Sequence, residues 1–412
     1  MGSHRLRRRP LALLCAWVAL ALAAPALADS SDPPRRTHDR TQAALDRIVA
    51  QGTPGVIAQV RDGHGVWNGR AGLRDLAGQQ PRAVGERFRI ASVTKTFTAV
   101  VLLKLEAEGR ISLDDSVERW LPGVVRGEGY RPRHITVRHL LNHTSGIYDY
   151  NMDEGFRALY AGDAFDQNRH RRWEPRQLVD IALAHPANFQ PEQGSRPGEP
   201  GEWDYSDTNY ILAGMIIEEA TGGTYKAAVE QYLIKPLGLR GTSVPDTSPV
   251  LPDPHARHYS TLFEEGPDAK VRDVTEFSPT VAFSAGQIIS TIDDVNSFMT
   301  RLLRGELLPA AQQRRLLTAV SVAGDKGHGG EDDLYGLGIR RFKLDGDGDG
   351  DGDGDRDGDG DCWAWGHGGM IPGSGTRTVV SGDGRHAMTM NRNGDWGEQK
   401  LEDAAVIAEF CR

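Results

Sequence analysis

Cysteine is scarce, with three residues among 412. A chain of this length buries a core without many staples, and neither Cys362 nor Cys411 sits in a Cys/His constellation suited to cysteine catalysis. Long apolar runs are missing beyond the first residues, so no later segment is apolar enough to span a membrane. Basic excess is missing too: the formal net charge is −9, and nothing in its distribution suits nucleic acid. Nor does the acidity belong to the whole surface. Asp345 to Asp361 holds nine aspartates and one arginine, and without that tract and residues 1–28 the chain carries only −5. The acidic balance is one local insertion and poor evidence for a cationic partner. What remains is ordinary for a globular protein, with 39% hydrophobic and 25% charged residues.

The first residues have the three parts of a secretory signal peptide. Arg5, Arg7, Arg8 and Arg9 form a basic segment, Leu11 to Ala24 an apolar one, and Ala26-Leu27-Ala28 offers small residues at both specificity positions of a signal peptidase. Cleavage before Asp29 and a secreted, extracellular mature protein are expected. The apolar stretch is shorter than the roughly 20 residues of a spanning helix, which argues against a stable membrane anchor. Cys15 follows Leu13-Leu14, not the small residues of a lipoprotein site. Export leaves Cys362 and Cys411, a pair that suits one disulfide. Residues 29–40 read as a flexible leader.

Residues 41–412 read as one α+β domain. Thr41 to Ala50 carries Leu45, Ile48 and Val49 at helical spacing. Gly55 to Val60 and Val66 to Ala71 flank Asp62-Gly63-His64-Gly65, a hairpin signal. Ser92 to Glu108 is apolar nearly all round, which predicts a buried helix stopped by Gly109. Further helices are expected near Tyr210 to Thr221, Tyr225 to Ile234 (ending before Pro236), Asp293 to Arg304 and Glu398 to Phe410. Strands are expected at Tyr335 to Phe342, Thr376 to Val380 and His386 to Met390. Strands at both ends around a helical middle predict a sheet flanked by helices, with the α/β part at about 41–90 and 280–412 and an inserted helical region at about 91–279.

The tract Asp345 to Asp361 is of low complexity. A calcium-binding EF-hand loop needs glutamate at its twelfth position. Every aspartate of the tract has an odd number, so the twelfth position falls on an even one, which is never glutamate. The tract reads as an expanded repeat in an exposed hairpin loop, swollen by self-repulsion. No metal and no cofactor are expected.

Three short stretches carry chemistry. Ile90-Ala91-Ser92-Val93-Thr94-Lys95 opens the buried helix, and serine and lysine three apart share one helix face. A serine hydroxyl is a weak nucleophile until a neighbour takes its proton. A lysine can do so only when neutral, and burial disfavours its cation. Alone, the tetrapeptide reads as well as an N-cap serine with a surface lysine. Tyr205-Ser206-Asp207-Thr208-Asn209-Tyr210 lies in a loop before a helix, where Tyr205 suits either proton transfer or packing. Trp365-Gly366-His367-Gly368-Gly369 would let a substrate backbone approach, or is an ordinary glycine-rich hairpin.

Together and in this order, the three stretches resemble the Ser-x-x-Lys, Tyr-x-Asn and His-x-Gly boxes of penicillin-recognising serine hydrolases. The likeness is to the group of class C β-lactamases, secreted actinomycete D-alanyl-D-alanine carboxypeptidases, esterases and D-aminopeptidases. It extends over Phe88 to Thr98, Gly109 to Asp115, Ile135 to Gly146 and Tyr335-Gly336-Leu337-Gly338. The carboxypeptidases look nearest, through Tyr148-Asp149-Tyr150, Arg340 after the Gly-Leu-Gly, and a cysteine pair placed like Cys362 and Cys411. The resemblance implies a β-lactamase/transpeptidase-like fold with an antiparallel sheet. It implies Ser92 as the acylated nucleophile, with Lys95 and Tyr205 managing protons. The backbone N–H groups of Ser92 and Met370 would form an oxyanion hole beside Gly369, with His367 polarising the site and Arg340 attracting a substrate carboxylate.

Departures from that pattern fall in the substrate-reading layer. Asp207 stands where the family usually has asparagine, and a carboxylate cannot donate a hydrogen bond to a substrate carbonyl; it would also favour the lysine cation. Gly368 and Met370 replace threonines that hold a terminal carboxylate, and Val281 replaces a tryptophan. A D-alanyl-D-alanine carboxypeptidase acting on peptidoglycan stem peptides, and binding β-lactams, is the leading expectation. Esterase, D-aminopeptidase or β-lactamase activity on a small peptide or ester is the alternative, as a monomer without nucleic acid. A non-catalytic binding protein has no need to keep Ser92, Lys95, Tyr205 and His367 together.

Overall fold

The computed structural model describes residues 38–264, 266, 269–323, 333–344, 355–356, 362–397 and 400–411. The expected signal peptide and nearly all of the expected leader lie outside the described residues, as does the Asp-Gly tract apart from the backbone of Asp355–Arg356.

The helices that carry the packing are α1 (Asp39–Ala50), α2 (Thr94–Ala107), α3 (Asp207–Thr221), α4 (Ile292–Leu303) and α5 (Lys400–Phe410). The main sheet is built from β1 (Gly55–Asp62), β2 (Gly65–Gly72), β3 (Val320–Ser321), β4 (Leu334–Tyr335), β5 (Arg340–Leu344), β6 (Cys362–Ile371), β7 (Ser374–Val380) and β8 (Ala387–Arg392). Its order is β2-β1-β8-β7-β6-β5-β4-β3, with the Asp355–Arg356 strand pairing off this path with β6. Every pairing is antiparallel. The N-terminal hairpin thus inserts beside the last strand, with Ile57 opposite Asn391. Asp62 tightens the hairpin turn by accepting the N–H groups of His64 and Gly65 at 2.8 and 3.1 Å.

Strand alternation divides the core in two. Val56, Ala58 and Val60 face α1 and α5, joining Leu45, Ile48, Ala405, Val406 and Phe410. Ile57 points the other way, into the larger core with α2, α3 and α4. Each large apolar side chain buried this way contributes about 1.5–3 kcal/mol. α2 sits deepest there, buried at every position from Thr94 to Leu103, and Phe97 stacks on Phe298 of α4 at 3.8 Å between centroids. Cys362 at the start of β6 and Cys411 after α5 form the expected disulfide, with Cα atoms 6.1 Å apart.

Local structure departs from the sequence pattern in three places. Tyr335 to Phe342 is two strands, not one. Gly336-Leu337-Gly338-Ile339 turns between β4 and β5, the Gly336 N–H bonding the Ile339 carbonyl at 2.7 Å while Gly338 takes φ +71°. A Cβ on Gly338 would stand 2.8 Å from the Lys95 carbonyl, so this turn must be bare to lie against α2. The helix from Tyr225 does not end before Pro236. A π-helical turn at Glu230–Ile234 widens it, and Pro236 falls in the first turn of a closing segment to Leu237, where its missing N–H costs little. The glycine-rich stretch around His367 is a ten-residue strand, β6, held by ladders to both β5 and β7 against the weak strand preference of its glycines.

Candidate active site

A short strand pairing sets the entry to α2. Phe88–Arg89 pairs with Ile289–Ser290, and the Ile90 N–H bonds the Ile288 carbonyl at 2.9 Å. The chain then turns sharply at Ala91, whose φ of +48° lies in a region alanine seldom adopts. Backbone strain of this kind gathers at functional sites. One turn of 3-10 helix, Ala91–Val93, carries Ser92 into α2. Ser92 is partly exposed, while Lys95, one turn on, is fully buried. Lys95 Nζ donates to Ser92 Oγ at 3.0 Å and to the Ala285 carbonyl at 3.1 Å, and is ion-paired with Asp207 Oδ1. Nζ thus has three oxygen partners, the number of donors an ammonium offers.

Tyr205 lies two residues before α3 and is buried. Its loop is pinned by His143, whose Nδ1 accepts the Ser206 N–H at 3.1 Å and whose ring stacks on Tyr205 at 4.3 Å between centroids. The Tyr205 hydroxyl lies near Ser92, and Lys95 Nζ lies 4.9 Å from its ring centroid. Burial above all, then the nearby Asp207 charge, pushes this phenol well above its ordinary range, so it is a neutral donor rather than a phenolate.

Asp207 opens α3, and its Oδ2 accepts from Asn151 Nδ2. Beside it, buried Asp149 accepts the Asn151 N–H at 3.0 Å. Burial, and next the charge of Asp207, holds the Asp149 carboxyl well above the usual carboxylate range. Of the two carboxyls, Asp207 is the one that meets Lys95.

The other wall of the site is β6. A Cβ on Gly369 would stand 2.5 Å from the Ile90 carbonyl and 2.8 Å from the Ser92 nitrogen, so the strand backbone runs hard against the Ser92 turn. Met370 follows and is 53% exposed. His367 is buried, with Nδ1 donating to the Gly368 carbonyl and Nε2 accepting from the Tyr335 hydroxyl at 2.9 Å. Burial, followed by the Lys95 charge, lowers its pKa to about 3. It is a neutral ring with both nitrogens engaged, and it lends the site position rather than charge.

Arg340 begins β5 close to these groups, but it is buried and paired with Asp333 at 3.3 Å, its guanidinium 5.7 Å from the rings of Trp203 and Tyr335. The carboxylate it meets is one of the protein's own. Ser92, Lys95, Tyr205 and Asp207 come together as the sequence implies, with Gly369 alongside. Asn151 and Ala285 join them without a signal in the spacing, since Ala285 contributes only a carbonyl. Asp149 stood in a recognised stretch without a role. A serine hydroxyl bonded to a buried lysine and near a phenol, with strand backbone beside its own amide, suits acyl transfer. Among the described residues, no cluster of His, Cys, Asp and Glu could hold a metal ion, and no helix is long and apolar enough to cross a membrane.

Comparison with known proteins supports the family and the fold. The Beta-lactamase family model matches residues 40–411. A D-stereospecific amidohydrolase from Streptomyces sp. is similar with a TM-score of 0.79 and 43% identity, over 91% of this chain and 99% of that one. The D-amino acid amidase of Ochrobactrum anthropi SV3 gives a TM-score of 0.70 and 26% identity, over 90% and 97%. Penicillin-binding protein 4* of Bacillus subtilis is 30% identical over 193 residues, which are 46% of this chain and only 38% of that relative's length. The family match takes in the whole described sheet and every residue of the site, and the chain belongs to the Beta-lactamase family, as a serine hydrolase of the penicillin-recognising superfamily.

Proposed function

We propose that the protein is an amidohydrolase that acylates Ser92 with short D-amino acid amides or esters bearing a free amine. The observation that carries this is Asp207. Where penicillin-recognising relatives offer an amide donor to the acyl-side carbonyl, this chain has a carboxylate whose oxygens face Lys95 and Asn151. An N-acylated peptide loses that donor, whereas an unblocked amino-acid amide never needed it. At the other end, the Arg340 guanidinium that would receive a terminal carboxylate is paired with Asp333. Recognition is thus short on both sides of the scissile bond. The D preference rests on the likeness to the Streptomyces amidohydrolase and the Ochrobactrum amidase.

In this proposal Ser92 Oγ attacks the carbonyl, Tyr205 passes a proton toward the leaving amine, and the N–H groups of Ser92 and Met370 hold the oxyanion. Export through residues 1–28 and action as a monomer on small substrates belong to the same proposal. A D-alanyl-D-alanine carboxypeptidase is the second reading, favoured by the closeness of Arg340 to Tyr205 and His367. The test compares a D-amino acid amide, its L enantiomer, its N-acetyl derivative and an N-acyl-D-Ala-D-Ala peptide. The unblocked D-amide should turn over fastest. Preference for the N-acyl dipeptide acid over its C-terminal amide would replace the proposal with the carboxypeptidase.

A further inference from the structure

Lys95 Nζ stands among three oxygen partners, one of them a carboxylate. Those partners are Ser92 Oγ, the Ala285 carbonyl and Asp207. As a cation Lys95 can donate to the serine oxygen but cannot take the serine proton. Resting on the proposal that Ser92 is the acylated nucleophile, we infer that Asp207 takes a proton from Lys95 before the attack and keeps it until the leaving group has departed.

The neighbours leave this part to Asp207. The Ala285 carbonyl is not a base. Tyr205 is a neutral phenol, and His367 has both nitrogens engaged by Tyr335 and Gly368. Tyr210 presents its ring 5.5 Å from Nζ, Tyr335 and His367 face it from β4 and β6, and Arg340 from β5 adds only positive charge. From the segment preceding the helix at Glu154–Ala158, Asp149 and Tyr150 face Asp207, both held above their ordinary ranges by burial and then by the Asp207 charge. In a buried site the gap between an ion pair and its neutral tautomer narrows, because desolvation penalises both charges.

The protons balance. One moves from Lys95 Nζ to Asp207 Oδ1, leaving an amine and a carboxylic acid. As the Ser92 Oγ–carbon bond forms, the hydroxyl proton passes to the amine. As the bond to the acyl carbon breaks, Tyr205 gives its proton to the leaving nitrogen and takes one from the ammonium, so that Lys95 is an amine again. Finally Asp207 returns its proton to Lys95. Asp207 acts through Lys95, so it is a positioning residue that also stores a proton.

The experiment follows kcat/KM against pH for an activated ester in Asp207→Asn and Asn151→Ala. Asparagine keeps the shape and can still accept from Lys95, but cannot store its proton. Without the store, Lys95 must lose its proton to water. The acid limb of the Asp207→Asn profile should therefore move up by about one pH unit or more, with at least about a tenfold loss at pH 7 and little change in KM. Asn151→Ala removes a donor from the charged carboxylate and should move the acid limb up with a smaller loss. An acid limb and rate unchanged in Asp207→Asn overturn the inference; if that variant does not fold, an unmoved acid limb in Asn151→Ala does so. Failure of the wild type to acylate at Ser92 is a separate result and removes the nucleophile proposal instead.

Discussion

Gly369 and Ser92 touch backbone to backbone: the Cβ that any other residue would carry at 369 falls 2.8 Å from the Ser92 nitrogen. The contact joins the β6 strand to the strained turn at Ala91, so the amide of Ser92 and the strand edge are set by one another. Gly369→Ala should push β6 away from the turn. The expected loss is about 10²-fold or more in kcat/KM, the scale of a lost oxyanion donor, with overpacking costing about 1–3 kcal/mol of stability. Full activity in this variant would separate β6 from the chemistry.

Arg340 supplies a second contrast. Its buried pair with Asp333 predicts that Arg340→Ala loses about 3–5 kcal/mol of stability by stranding a buried charge. The ratio of rates on a carboxylate-terminated peptide and on its amide should stay the same. A selective loss on the acid peptide, at unchanged stability in denaturant, would return Arg340 to the role of carboxylate receptor.

Acid should weaken the fold through its buried histidines. Burial, then the charge of Arg82, lowers His258 to about 3, and His367 stands at about 3 as well, against 6.5 in an unfolded chain. Between those values the unfolded chain binds protons that the fold refuses, so stability falls as pH drops from 6.5 toward 3. Each histidine contributes a slope of up to about 1.4 kcal/mol per pH unit. Glu409 acts in the same sense lower down. Burial opposes its charge, but hydrogen bonds from His386, Thr41 and His38 hold it at about 2, so its contribution is lost as pH falls from 4.5 through 2. His258→Asn should flatten the dependence between pH 6 and 4 in urea titrations; an unchanged slope would contradict the assignment.

Sequence and structure agree where a local rule suffices. Ser92 and Lys95 are one helical turn apart, and nothing but that turn is needed to bring them together. The hairpin at Asp62 and the stop at Gly109 are equally local. Disagreement begins where a partner far along the chain decides. β6 is a strand despite its glycines because β5 and β7 satisfy its backbone. Pro236 is tolerated because a π turn precedes it. Asn151 reaches Asp207 across 56 residues of separation, and the Arg340–Asp333 pair forms only once β4 and β5 fold over the turn at Gly338. The identity of Asp207 was visible as a departure from the family; its pairing with Lys95, which changes how the serine is activated, needed three dimensions.

The most direct measurement is intact mass. The mature protein is incubated with an activated ester or a fluorescent penicillin, alongside Ser92→Ala shown by its melting curve to be folded. The account predicts one covalent adduct per chain, mapped by peptide digestion to the segment containing Ser92, and neither adduct nor turnover in the variant. An adduct on another residue, or hydrolysis that persists in Ser92→Ala, would contradict it.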